Sequence, residues 1–147
     1  MALWRLYYHL VWATKDGQSL ITANRETQLY NYIIGKADAL DSIIHAIGGI
    51  DNHIHLVASI PPRLSIADFV QTIKGSSAHH LNHTSPSQDA FGWQRGYGVF
   101  SLGSKQLEQA VIYVKNQKEH HLNGTVIASL EQHNQEDDRP KPTYINP

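Results

Sequence analysis

Apolar and polar positions alternate along 53-HIHLVAS-59, which places Ile54, Leu56 and Ala58 on one side of a strand and His53, His55 and Val57 on the other. The first set predicts a core face. The second projects two imidazoles side by side from the opposite face, an arrangement suited to holding a cation. Upstream, the aromatic and β-branched run from Trp4 to Thr14 predicts a strand that ends in a turn at Lys15-Asp16-Gly17. Leu29, Ile33, Ala37 and Leu40 then share one stripe of a helix that Thr22 or Asn24 would cap. Ser42 to Ile47 predicts a second strand, broken by Gly48-Gly49 and Asp51-Asn52 as in a hairpin before the His53 strand.

Pro61-Pro62 stops the third strand, and Ile66, Phe69, Val70, Ile73, Ser77 and Leu81 recur at helical spacing. His83 to Gln88 reads as a loop and Tyr97 to Leu102 as a short strand between glycines. The resulting order, β-α-β-β-α-β, predicts an α+β fold of the ferredoxin-like, split β-α-β kind: an antiparallel sheet with helices on one face and the other face open. A last helix, capped by Ser104, runs to about His121 and stops at Asn123-Gly124. Its core stripe is Leu107, Val111 and Val114; Gln106, Gln109, Tyr113, Gln117 and His120 form a polar band roughly 120° away. Tyr113 and Gln117, four residues apart, are neighbours on that band, where a metal could link phenol and amide.

Composition changes the picture in three ways. With 147 residues, 41% of them hydrophobic and 17% charged, the chain suits one globular domain, expected over residues 1–123. Residues 124–147 turn acidic and then proline-rich, which predicts a partly disordered tail. The absence of cysteine excludes disulfides, thiolate zinc sites and a cysteine nucleophile, and points to the cytoplasm; no apolar run reaches the length of a membrane span. A net charge of −1 gives no bulk excess for phosphate contacts, so any contact with nucleic acid must come from local residues, for which Arg63, Lys74, Arg95, Lys105, Lys115 and Lys118 are candidates. Ten histidines are the unusual feature. His79, His80 and His83 suit the end of the second helix, since helix C-termini favour imidazolium, and Trp93 and Tyr97 are expected in the core.

These motifs together carry a resemblance. With 53-HIH-55 preceded by Asn52 and followed by Leu56-Val57, with 93-WQRGYGVFSLG-103, and with 112-IYVKNQKEHH-121, the sequence resembles the single-tyrosine HUH transposases of bacterial insertion sequences (the TnpA type) and the related REP-associated tyrosine transposases. The segments 8-YHLVWATK-15 and 69-FVQTIKGSSAHHL-81 also match, so the resemblance covers roughly residues 4 to 122. It departs in two places: Asp16-Gly17-Gln18 stands where basic residues are usual, and the acidic and aromatic pattern beyond His121 is hardly recognisable.

The resemblance implies an enzyme of DNA transposition that cleaves and rejoins single-stranded DNA, with hairpins flanking the cleaved ends. Tyr113 would attack a backbone phosphate, keep the 5′ phosphate as phosphotyrosine and release a 3′-OH; a phenol is a poor nucleophile at neutral pH but a good leaving group, so the step reverses without an energy source. His53, His55 and Gln117 would hold a divalent metal, with His120 a possible neighbour. Two imidazoles and an amide hold Mg²⁺ weakly and match Mn²⁺ better. The implied partner, besides DNA, is a second copy of the chain, in a homodimer whose subunits share active sites. The competing reading is a non-cleaving, domesticated module that grips hairpin DNA or RNA on the same fold.

Overall fold

The protein is described here by a computed structural model covering residues 2–85, 88–128 and 131. The aromatic N-terminal run forms β1 (Tyr7–Ala13), shorter than predicted at its start. A short 3-10 turn at Lys15–Gly17 follows, in which Asp16 (φ 55°) and Gly17 (φ 66°) are left-handed. Helix α1 (Ala23–Ala39) is capped by Thr22, whose hydroxyl accepts from the Arg25 amide. Then come β2 (Ile43–Ile50), β3 (His53–Ser59), α2 (Ile66–Thr84, capped by Ser65) and β4 (Gly98–Leu102). The strands form one antiparallel sheet in the order β2-β3-β1-β4. This is the predicted split β-α-β arrangement, with β1 and β3 at the centre.

Pairing of β1 with β3 fixes which side chains share a face. Val11 stands opposite His55, Ala13 opposite His53 and His9 opposite Val57. Leu10, Trp12, Ile54, Leu56 and Ala58 therefore point together to the side where α1 and α2 supply Leu29, Ile33, Phe69, Ile73 and Leu81, and all of these are buried. Burying each such aliphatic or aromatic side chain contributes on the order of 1.5–3 kcal/mol. Arg25 is also buried, its guanidinium donating to the carbonyls of Leu20 and Asp89.

Three expectations need correction. Gly48-Gly49 is not a break: β2 continues through both residues, and Asp51-Asn52 alone makes the hairpin turn. The glycines are there for close approach, since a Cβ on Gly48 would lie 2.0 Å from the Val114 carbonyl oxygen. Second, the face opposite α1 and α2 is not open. Helix α3 (Leu107–Lys115) lies across it, packing Ala110 and Val114 on Ala46 and Val57. Third, the last helix is not continuous: a 3-10 turn at Ser104–Gln106 leads into α3, and the chain bends at Asn116 (φ −105°, ψ 25°) into α4 (Gln117–Asn123). Its start is held by the Gln106 amide oxygen, which accepts from the Gly103 backbone, rather than by Ser104. The predicted stop holds: Gly124 adopts φ 69° and ends α4. Of the predicted tail, residues 129–130 and 132–147 lie outside the described residues.

Candidate active site

β3 enters the sheet at His53, so the alternation seen in the sequence sets His53 and His55 on the face that α3 covers, with ring centroids 5.1 Å apart. Each imidazole is held from behind. His53 Nδ1 donates to Asn52 Oδ1 at 2.9 Å, which leaves Nε2 facing outward. His55, fully buried, has its Nδ1 2.8 Å from Nε2 of His9, a residue of β1 on the same face that is itself fully buried.

The two Nε2 atoms converge on one carboxylate. Glu131 Oε1 lies 3.1 Å from His55 Nε2 and 3.3 Å from His53 Nε2. Donor atoms of His53, His55 and Glu131 all lie within 4.8 Å of one another, a grouping that could hold a metal ion. The other carboxylate oxygen, Oε2, accepts a short hydrogen bond from the Tyr113 hydroxyl, which in turn accepts from the Ile127 amide at 3.0 Å.

Tyr113 was expected on a polar band away from the sheet; it is 5% exposed and faces the sheet, its ring 6.1 Å from that of His55 and 6.3 Å from that of His9. Gly48 explains the difference, because it lets α3 settle low enough that Ala110, Tyr113, Val114 and Gln117 are all buried together. Gln117 stands one contact from the donors: its Oε1 is 3.1 Å from His121 Nε2, which is 3.2 Å from His53 Nε2 and 3.3 Å from Glu131. The bend at Asn116 brings His121 to the histidine pair. His120 lies against the Tyr113 ring at 4.7 Å, as their shared stripe predicted, and bonds Thr125 at 2.8 Å.

Electrostatics follows from this packing. Burial pushes the Glu131 carboxyl up, but the His53 and His55 imidazoles and the Tyr113 hydroxyl packed against it outweigh this and hold the group well below the usual carboxylate range. Burial and the Glu131 carboxylate push the Tyr113 phenol up. Burial lowers His55, only partly offset by Glu131. Burial and the nearby His55 lower His9 to about 4, so it is neutral at pH 7.

The candidate phosphate contacts are scattered. Arg63 pairs with Asp41 at the end of the sheet remote from His53. Lys74 is turned inward on α2, donating to the carbonyls of Gln94 and Gly96 at 2.6 and 3.0 Å. Lys118 pairs with Glu26, while Arg95, Lys105 and Lys115 are exposed. The Nδ1 of His83 bonds the His79 carbonyl, and His80 stacks on Tyr32, all on the α1/α2 side. Beside His53, an open cleft of about 500 Å³ is lined by Ala13, Asp16, Gly17, Asn52 and Gln94. Besides His121, two site residues escaped sequence reasoning. Glu131 was hidden in an aperiodic acidic run, and His9 sat in a strand with no partner histidine in its own segment.

Residues 2–117 match the model of a family described as IS200-like transposases. The chain is 25% identical over 122 residues to the ISDra2 transposase TnpA of Deinococcus radiodurans, covering 78% of this chain and 86% of the relative. It is 25% identical over 127 residues to the transposase of insertion sequence element IS200 of Salmonella typhimurium, covering 79% of each. Among solved structures, it is similar in fold to a candidate transposase of Deinococcus radiodurans R1 (TM-score 0.65, 22% identity, 84% of this chain and 93% of that one). It is likewise similar to a REP-associated tyrosine transposase bound to a REP hairpin (TM-score 0.61, 16% identity, 86% and 76%).

Proposed function

The chain belongs to the IS200-like transposase family, and from that membership we propose that it cleaves and rejoins single-stranded DNA through a covalent link between Tyr113 and a 5′ phosphate. The observation that carries this reading is the convergence of the Tyr113 hydroxyl and the His53 and His55 imidazoles on one carboxylate, Glu131. A nucleophile and a set of metal donors meet within one site.

The donor set fits a divalent ion. Asn52 holds His53 with Nε2 outward, a carboxylate oxygen completes a mixed nitrogen and oxygen set, and the acid is ionised at neutral pH. Such a set suits Mn²⁺ better than Mg²⁺. When bound, the ion supplies charge that offsets the negative charge developing on the phosphate. His53, His55 and Glu131 would hold it, with Gln117 reaching it through or in place of His121.

The chain's residues account for the rest. Tyr113 Oη forms a bond to phosphorus as the bond to the 3′ oxygen breaks; the phenolic proton leaves to solvent along the hydrogen bond to Glu131 Oε2, and the departing 3′ oxygen takes a proton from solvent to become a 3′-OH. Attack by a 3′-OH on the phosphotyrosine reverses the step and rejoins strands. His120 limits the swing of the ring. The cleft beside His53 is placed for a nucleotide next to the cleaved bond, and a hairpin-bearing strand is the substrate that the bound relative suggests. A homodimer with shared sites belongs to the same reading, since Gly103-Ser104 is a short link across which α3 and α4 could seat on a partner's sheet with the contacts they make on their own.

The test uses single-stranded oligonucleotides from the gene's own flanks, labelled at the 3′ end. With Mn²⁺ the label should become protein-linked, and chelation or His53→Ala, His55→Ala should prevent it. Binding of hairpins with no cleavage under any metal would favour the non-cleaving module.

A further inference from the structure

His9 is a fully buried histidine with no catalytic task, and its two nitrogens are unequal. Nε2 is 2.8 Å from His55 Nδ1, whereas Nδ1 has no hydrogen-bond partner among the described residues. A buried polar residue retained with one unsatisfied nitrogen needs a reason. Phe100, opposite in β4, packs against its ring at 6.0 Å and Tyr113 at 6.3 Å. Among the described residues, His55 alone hydrogen-bonds to it.

We propose that His9 is the positioning residue that sets the tautomer of His55, so that the His9–His55 hydrogen bond reverses direction when a divalent cation binds. The inference rests on the metal reading above. Without metal, His55 Nε2 carries a hydrogen and donates it to Glu131 Oε1, so its Nδ1 is a lone pair that accepts from His9 Nε2–H. His9 Nδ1 is then a bare acceptor. A metal takes the Nε2 lone pair of His55, which requires the hydrogen to sit on Nδ1. The shared hydrogen moves from His9 Nε2 to His55 Nδ1, His55 Nε2 gives up its own, and His9 gains one on Nδ1 by exchange when its buried ring is transiently opened to water. Each ring stays neutral and the pair takes up no net proton. Asn52 does the simpler half of the same work, accepting from His53 Nδ1 in a fixed direction. His53 is thereby held ready for metal, and His55 is switched into readiness through His9.

The test is a set of binding measurements on the full chain with Mn²⁺. Wild type should bind, His9→Phe should retain the fold by circular dichroism but lose roughly 10–100-fold in affinity, the usual loss when an outer-shell partner is removed, and His9→Gln, whose amide oxygen can accept from Nδ1–H, should stay close to wild type. Equal binding by wild type and His9→Phe overturns the inference alone, whereas absence of wild-type binding overturns the metal reading with it. Nitrogen-15 spectra of the wild-type histidines, with and without Zn²⁺ as a diamagnetic probe, keep the question decidable if His9→Phe does not fold. The His55 hydrogen should move from Nε2 to Nδ1 and the His9 hydrogen likewise. A His9 tautomer unchanged by metal contradicts the proposal.

Discussion

Glu131 joins the two halves of the site, one carboxylate oxygen toward the imidazoles and the other on the Tyr113 hydroxyl. Glu131→Gln should therefore weaken Mn²⁺ binding by more than the roughly 10–100-fold lost with an outer-shell partner, a difference that isothermal titration would read; unchanged affinity would remove Glu131 from the donor set. A second expectation concerns pH. His9 falls from 6.5 to about 4 on folding, so between those values the unfolded chain binds a proton that the folded protein does not. Its contribution to stability is complete above pH 6.5 and is lost as pH falls toward 4, at about 1.4 kcal/mol per pH unit for one such group. The lowered His55 acts in the same sense, and the lowered Glu131 extends the loss below its ordinary 4.5. Urea unfolding of metal-free protein at several pH values should show this decline, less steep in His9→Gln; a flat profile would mean that His9 is not buried as described. At this scale strand alternation set His53 and His55 side by side and helical spacing set Tyr113 next to Gln117, but the roles expected of them came from the family resemblance and not from spacing. Glu131 has no periodic neighbours to mark it, and only the pairing of β1 with β3 brings His9 to His55.

The seating of α3 depends on Gly48, where a methyl group would meet the Val114 carbonyl oxygen. Gly48→Ala should cost about 1–3 kcal/mol, as overpacking does, and should reduce formation of the DNA adduct because Tyr113 rides on α3. Denaturation and adduct yield measured together check this; a variant as stable and active as wild type would contradict the close approach. On the other face Ile54→Ala should cost about 2–5 kcal/mol yet leave metal affinity intact once folded, since Ile54 points into the α1/α2 core. Loss of metal binding with an intact fold would reverse the assignment of faces. The order of elements and both long helices were legible from periodicity. Two features were not. A glycine pair reads as a turn when it is in fact a gap left for a helix, and the polar band of Tyr113, Gln117 and His120 keeps its helical spacing across Asn116, so the bend leaves no mark in the pattern.

At the scale of the molecule, the ferredoxin-like sheet gives one face to the core and the other to the histidines and α3, and among the described residues no helix is long and apolar enough to cross a membrane. A single chain already brings Tyr113 and His55 to the same carboxylate. Whether a partner can supply the tyrosine is decided by mixing Tyr113→Phe with His53→Ala, His55→Ala protein under verified subunit exchange. A shared-site dimer should recover adduct in the mixture, and none should appear if each chain uses its own tyrosine. The most direct measurement of the central claim is to digest the protein after incubation with single-stranded DNA and Mn²⁺, and to locate the nucleotide-bearing residue by mass spectrometry. The account predicts a phosphodiester-linked nucleotide on Tyr113 and no adduct in Tyr113→Phe; strand cleavage that leaves Tyr113 unmodified, or that persists in the variant, would contradict it.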